Sequence, residues 1–197
     1  MIRAGMTHEI TPDCGEWIIV DIGFSMNSKS CGVGSIDDPP VEVQFYEMLK
    51  IVTQRIREAK GVVNLLIEAP LSVAFSSKGN PTGRTVEKEN GKTRYWYVGA
   101  GATVTLAVMN LIDSIRGSDD KEIRLFEGFV SFKGSSSKSD HSKDVRALID
   151  VVKSPMKRAR EVIDPANLAV KDGDIVKSAF DLMGLDIGVP PVIVGAK

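Results

Sequence analysis

The chain has 197 residues and nearly balanced charge, with 25 Lys and Arg against 26 Asp and Glu. Its 43% hydrophobic and 26% charged residues argue against a disordered chain, and the length suffices to bury a core without covalent staples. A net charge of −1 excludes a uniformly basic, histone-like binder and leaves room only for local basic surfaces.

Residues 1–15 read as a loose leader, and residues 16–197 as a single domain. The apolar run Glu16-Trp-Ile-Ile-Val-Asp21 predicts a strand buried on both faces and ending in an acid. Cys31-Gly-Val-Gly-Ser-Ile36 predicts an antiparallel return, forming a hairpin. Asp37-Asp38-Pro39 is read as a helix start. Phe45, Leu49, Val52 and Ile56 then mark one apolar face of a helix reaching about Lys60. Gly61 ends it, and Val62–Ile67 predicts a second buried strand closed by Glu68.

Residues 69–94 read as one long polar loop, a length that usually signals function. The uncharged stretch 96–116 is predicted helical. Although Tyr95–Ile112 reaches spanning length, Gly99, Gly101, Thr103, Thr105 and Asn110 favour a buried helix over a membrane span. Glu122–Phe126 predicts a third strand before Glu127, and Asp144–Lys153 a helix broken by Ser154-Pro155. A last helix is expected over Asp174–Met183. The apolar tail Val189–Val194 offers a strand edge for self-association, so a homodimer is an expected partner state. Strands alternating with helices imply an α/β fold with a central sheet flanked by helices.

Cys14 and Cys31 form no framework, and with His8 and His141 so dispersed no zinc-type spacing exists. A reduced pair and a cytoplasmic location are expected. The N-terminus lacks the apolar core of a signal peptide. His141 is read as a loop residue.

The chemistry lies in the acids. Asp21, Glu68 and Glu127 each end a predicted strand, where ligand sites of open α/β sheets form. Adjacent parallel strands would bring Asp21 and Glu68 together, and two close carboxylates require a cation between them. Mg²⁺, or Mn²⁺, suits two or three carboxylates with room for phosphate oxygens, and two such ions give phosphodiester hydrolysis. Basic residues of the long loop, among them Arg84 and Arg94, precede Tyr95, Trp96 and Tyr97, a combination that fits a nucleic-acid strand. The run Lys153–Arg160, with Lys157 and Arg158, would supply phosphate contacts near an acidic cleft.

Trp17-Ile-Ile-Val-Asp-Ile-Gly-Phe-Ser25 resembles the first strand of ribonuclease H-like nucleases, including RuvC-type Holliday-junction resolvases. Leu65-Leu-Ile-Glu-Ala-Pro-Leu-Ser72 resembles their fourth strand, and is especially similar to a group of uncharacterised, predicted ribonuclease H-like nucleases. Leu125-Phe-Glu127 and Lys143-Asp-Val-Arg146 match that group's later strand and its Lys/Arg-bearing helix. The resemblance implies a ribonuclease H-like α/β fold with a central mixed sheet and a divalent-metal-dependent nuclease acting on DNA or RNA. Asp21 and Glu68 would be catalytic metal ligands, with Glu127 in support.

A third ligand in that superfamily comes from the last helix. Here Lys177 stands where an Asp is usual, and Asp174, one helical turn earlier on a face shared with Ser178 and Asp181, is taken as the third ligand, with Asp172 or Asp181 as substitutes. Lys177 would contact a phosphate or replace a metal. The latter yields the alternative reading, a catalytically inactive scaffold that binds nucleic acid or a protein. The third strand of the family's opening meander is expected to be absent or shrunk into residues 39–44.

Overall fold

The computed structural model describes residues 1–23, 28–89, 92–93, 100–117, 121–130 and 140–195. Strands β1 (Ile2–Ala4), β2 (Glu16–Ile22), β3 (Cys31–Gly34) and β4 (Val41–Val43) precede helix α1 (Phe45–Glu58). Then come β5 (Val63–Glu68), β6 (Ser72–Phe75), β7 (Pro81–Thr82), β8 (Lys88–Glu89), β9 (Lys92–Thr93) and α2 (Ala100–Ile115). Strand β10 (Ile123–Val130) leads to α3 (His141–Lys153) and α4 (Pro155–Glu161). Strands β11 (Val162–Ile163), β12 (Ile175–Ser178) and β13 (Val192–Gly195) complete the chain.

The central sheet is mixed. Its order is β11-β13-β10-β5-β2-β3-β4, with β1 also paired to β10. Strands β2, β5, β10 and β13 run parallel, while β3 and β4 return antiparallel beside β2. The β-branched runs of β2 and β5 are buried almost throughout, as interior parallel strands require.

Side-chain alternation divides the core between two faces. Ile18, Val20, Leu65, Ile67 and Leu125 face α1 and α2. Trp17, Ile19, Leu66 and Phe126 face α3, where Val145, Leu148 and Val152 meet them. Of the predicted apolar stripe of α1, Val52 and Ile56 are fully buried and Phe45 and Leu49 partly so, while Met48 is buried beside them. Each fully buried side chain contributes about 1.5–3 kcal/mol.

Several elements differ from the sequence reading. The leader is built into the fold: β1 pairs with the first half of β10, and Arg3 pairs with Glu9 and Glu122. Strand β13 takes the second half of the same β10 edge. The apolar tail is therefore an inner strand covered by β11, which removes the exposed edge that suggested a homodimer. Asp37 and Asp38 form a turn in which both backbone amides donate to Ser35 Oγ. The helix starts only at Phe45, where Glu47 accepts from the Gln44 amide. Between turn and helix, the meander's third strand is shrunk to the three residues of β4, within the 39–44 stretch expected for it.

Residues 174–183 are not an α-helix. The β-branched Ile175 and Val176 enter β12, which pairs antiparallel with β6, and Ala179–Met183 is a short 3-10 helix. Strands β12, β6 and β7 form a second, three-stranded sheet, so the stretch expected as one long loop carries structure of its own. Among the described residues no helix is long and apolar enough to cross a membrane. Both cysteines are free thiols. The buried Cys31 thiol is pushed up to about 11 by its burial.

Candidate metal centre

Strand register aligns Glu42, Gly32, Asp21, Glu68, Gly128 and Ile193 in one row across the sheet. Asp21 and Glu68 are direct partners at the carboxyl ends of adjacent parallel strands. Both are buried. By alternation from Trp17, Ile19 and Leu66, both lie on the α3 side.

The glycines beside the pair let α3 come close. A Cβ at Gly32 would lie 2.4 Å from the His141 carbonyl oxygen, and one at Gly128 would lie 2.8 Å from Leu148 Cδ1. A Cβ at Gly23 would lie 2.5 Å from His141 Cε1. At Gly32 the clash is with helix backbone, so a side chain there would push the start of α3 away from the acids.

Asp140 begins that helix. Its carboxylate accepts from the Lys143 amide at 3.0 Å. Hydrogen bonds from the Lys143 side chain and backbone hold its pKa down to about 2. The first turn then carries His141 and Asp144, three residues apart and so on one helix face. His141 Nδ1 lies 2.7 Å from Asp21 Oδ2. One ligand atom each from Asp21, His141 and Asp144 falls within 4.8 Å of the others. Glu68 flanks this group on the next strand, and its Oε1 accepts from the Val130 amide at 3.4 Å.

His141 is thus a helix residue at the site rather than a loop residue. Asp144, expected only as a helix start, is buried beneath the first turn. The signal for both was present in Asp140-His-Ser-Lys-Asp144: an N-capping acid followed by His and Asp at one-turn spacing. The donor set is mixed, two carboxylates and an imidazole with a third carboxylate adjacent. Carboxylate oxygens and an imidazole nitrogen are both donors that divalent ions accept. The residues fit a divalent ion.

The other predicted residues lie elsewhere. Glu127 pairs with Ile67, one position short of Glu68, and therefore projects from the opposite face. There it is fully buried against Arg84. Arg84 Nη1 donates to Glu127 Oε2 at 2.9 Å and to Ser72 Oγ at 2.8 Å, and Nη2 donates to Glu87 Oε1 at 3.2 Å. Burial pushes the Glu127 carboxyl up, against the pull of Arg84. Arg84 itself is raised: burial opposes its charge, but Glu127 and Glu87 outweigh that. Neither Glu127 as a metal ligand nor Arg84 as a phosphate contact agrees with this geometry, since both are sealed in an internal ion cluster.

Asp174 lies in the turn before β12, where its carboxylate accepts from the Lys171 amide. It is absent from the group around Asp21, because the helix expected to carry it does not form. Lys177 is exposed on β12 opposite Val73. Lys157 pairs with Asp150, and Arg158 donates to the Val152 carbonyl. Both lie on α4 and contact the far end of α3, about 15 Å of helix from His141, rather than the acidic cleft. Arg94 and the aromatics Tyr95, Trp96 and Tyr97 lie outside the described residues.

No family model, no curated protein and no solved structure matches the chain.

Proposed function

We propose that the protein is a divalent-metal-dependent nuclease that hydrolyses phosphodiester bonds of DNA or RNA, with Asp21, Glu68, His141 and Asp144 as the ligand set. The observation that carries this reading is the convergence of Asp21, His141 and Asp144 within 4.8 Å beside Glu68. Bound there, divalent ions supply an activated water and stabilise the leaving oxygen. The chain's own part is to present the donors from two rigid strands and one capped helix, with no covalent intermediate.

The connectivity supports a ribonuclease H-like domain. An antiparallel meander of β2, β3 and β4 is followed by α1 and by β5, which returns parallel beside the first strand of the meander. The acids of the first and fourth strands of that motif, Asp21 and Glu68, are register partners. In this reading Asp144, from α3, takes the place expected of Asp174. The scaffold alternative loses the observation that motivated it, because Lys177 belongs to β12 and not to a ligand-bearing helix.

The test is a thermal-shift titration with Mg²⁺ and Mn²⁺ on wild type and Asp21→Asn, followed by cleavage assays on single-stranded, duplex and four-way-junction DNA and on RNA. Saturable stabilisation of wild type, lost in Asp21→Asn, is expected. Absence of any metal effect at millimolar concentration in both proteins would refute the reading.

A further inference from the structure

Glu68 stands beside Asp21 at the end of β5, and the chain leaves the strand directly after it. The segment Ala69–Ser72 carries β5 over into β6. Three separate elements grip it. The Leu71 amide donates to Glu127 Oε2 at 2.8 Å. The Leu71 carbonyl accepts from the Ala179 amide at 2.9 Å. Thr105 Oγ1 of α2 lies 3.1 Å from the Pro70 carbonyl oxygen and shares its one proton between it and the Gly101 carbonyl at 3.0 Å.

Of these, Glu127 is the most deeply held. Its carboxylate is completely buried and orients Leu71 while Arg84 orients it. The same Arg84 nitrogen fastens Ser72 Oγ, so the two residues after Pro70 are tied to one guanidinium–carboxylate pair. Gly128, the residue after Glu127, is the register partner of Glu68. Two residues further on, the Val130 amide reaches the Glu68 carboxylate. One stretch of β10 thus grips Glu68 directly on the α3 face and grips the chain leaving it on the other face.

We propose that Glu127, locked by Arg84, is a positioning residue for Glu68: it fixes the exit of β5 across the sheet so that Glu68 is aimed at the ion held by Asp21, His141 and Asp144. This rests on the metal reading given above. Outer groups that orient a ligand typically govern 10- to 100-fold in metal affinity. Glu127 acts only through the backbone of residues 69–72.

The experiment is calorimetric titration of Mn²⁺ into wild type, Glu127→Leu, Glu127→Gln and Arg84→Lys, each confirmed folded by circular dichroism at the titration temperature. Glu127→Leu removes the acceptor for the Leu71 amide and is expected to weaken Mn²⁺ binding about tenfold or more. Glu127→Gln keeps an oxygen for that amide and is expected to recover part of the loss. Arg84→Lys keeps the buried charge but not the planar fork that holds both Ser72 and Glu127. It is expected to bind several-fold more weakly, and it serves as the deciding variant if Glu127→Leu does not fold. Wild-type Mn²⁺ affinity in the folded variants would overturn the positioning role while leaving the metal centre standing. Failure of wild type to bind Mn²⁺ would overturn the metal centre and this inference together.

Discussion

Two carboxylate clusters lie back to back at the same end of the central sheet. On the α3 face, Asp21 and Asp144 gather around His141, with Glu68 beside Asp21 on the next strand. On the other face, Glu127 and Glu87 gather around Arg84. Both are buried, and both draw on a strand-terminal acid. They differ in the cation. A guanidinium is permanently charged and forks between both of its acids, so the charges of the second cluster are paired within the chain. An imidazole beside two acids is a donor set of the kind that accepts a metal ion. The contrast separates a buried acid that fastens structure from one available for chemistry, which position at a strand end alone cannot do.

The sharpest way to break the comparison is to remove each cluster's cation or acid in turn. Arg84→Met strands two buried carboxylates and is expected to cost about 3–5 kcal/mol, read as a lower denaturant midpoint. Asp21→Asn is expected to leave the metal-free protein as stable as wild type or slightly more so, because it relieves repulsion among the acids. Equal destabilisation by both changes would show that the two clusters serve the same structural purpose.

Gly32→Ala probes the α3 face alone. Its Cβ would meet the His141 carbonyl at 2.4 Å, and such overpacking typically costs about 1–3 kcal/mol. The expected outcome is a moderate loss of stability together with weaker Mn²⁺ binding. Intact Mn²⁺ binding would mean that the close approach of α3 is not what assembles the site.

The smallest effect is the dependence of stability on pH. The folded pKa of Glu127 is raised above the ordinary 4.5, with Arg84 and Glu87 facing it. The folded state therefore binds a proton more readily than the unfolded chain. Stability from this group is fully present below the ordinary value and declines as pH rises through the raised one. Glu9 and Glu122 have lowered pKa values, Glu9 by the Arg3 hydrogen bond against its burial and Glu122 first by the Arg124 hydrogen bond. They act in the opposite sense, at pH below 4.5. Glu127→Gln is expected to flatten the decline above pH 4.5, measured by denaturant unfolding of variant and wild type over a pH series starting below that value. An unchanged slope would place the raised pKa elsewhere.

Much of this molecule was legible before any coordinates. The runs ending at Asp21 and Glu68 are local signals, apolar for several residues and then abruptly charged, and β2 and β5 follow them closely. The face of α1 emerged from spacing alone, because helical periodicity is written in consecutive residues. The missed elements had local cues that tertiary pairing overrode. Asp174, Ser178 and Asp181 have helical spacing, yet Ile175 and Val176 pair with β6. Asp37-Asp38-Pro39 has the composition of a helix start, yet it turns the chain into β4.

The sequence by itself determined that buried strands would end in acids and that an α/β sheet would carry them. Only the tertiary structure decided which acids share a face. Glu127 falls one residue out of register with Glu68, and in a strand one residue is the difference between the two sides of the sheet. Likewise, only the packing of α3 over Gly32 and Gly128 brought His141 and Asp144 to Asp21. Strand pairing and helix approach depend on residues far apart in the chain, and no local pattern encodes them.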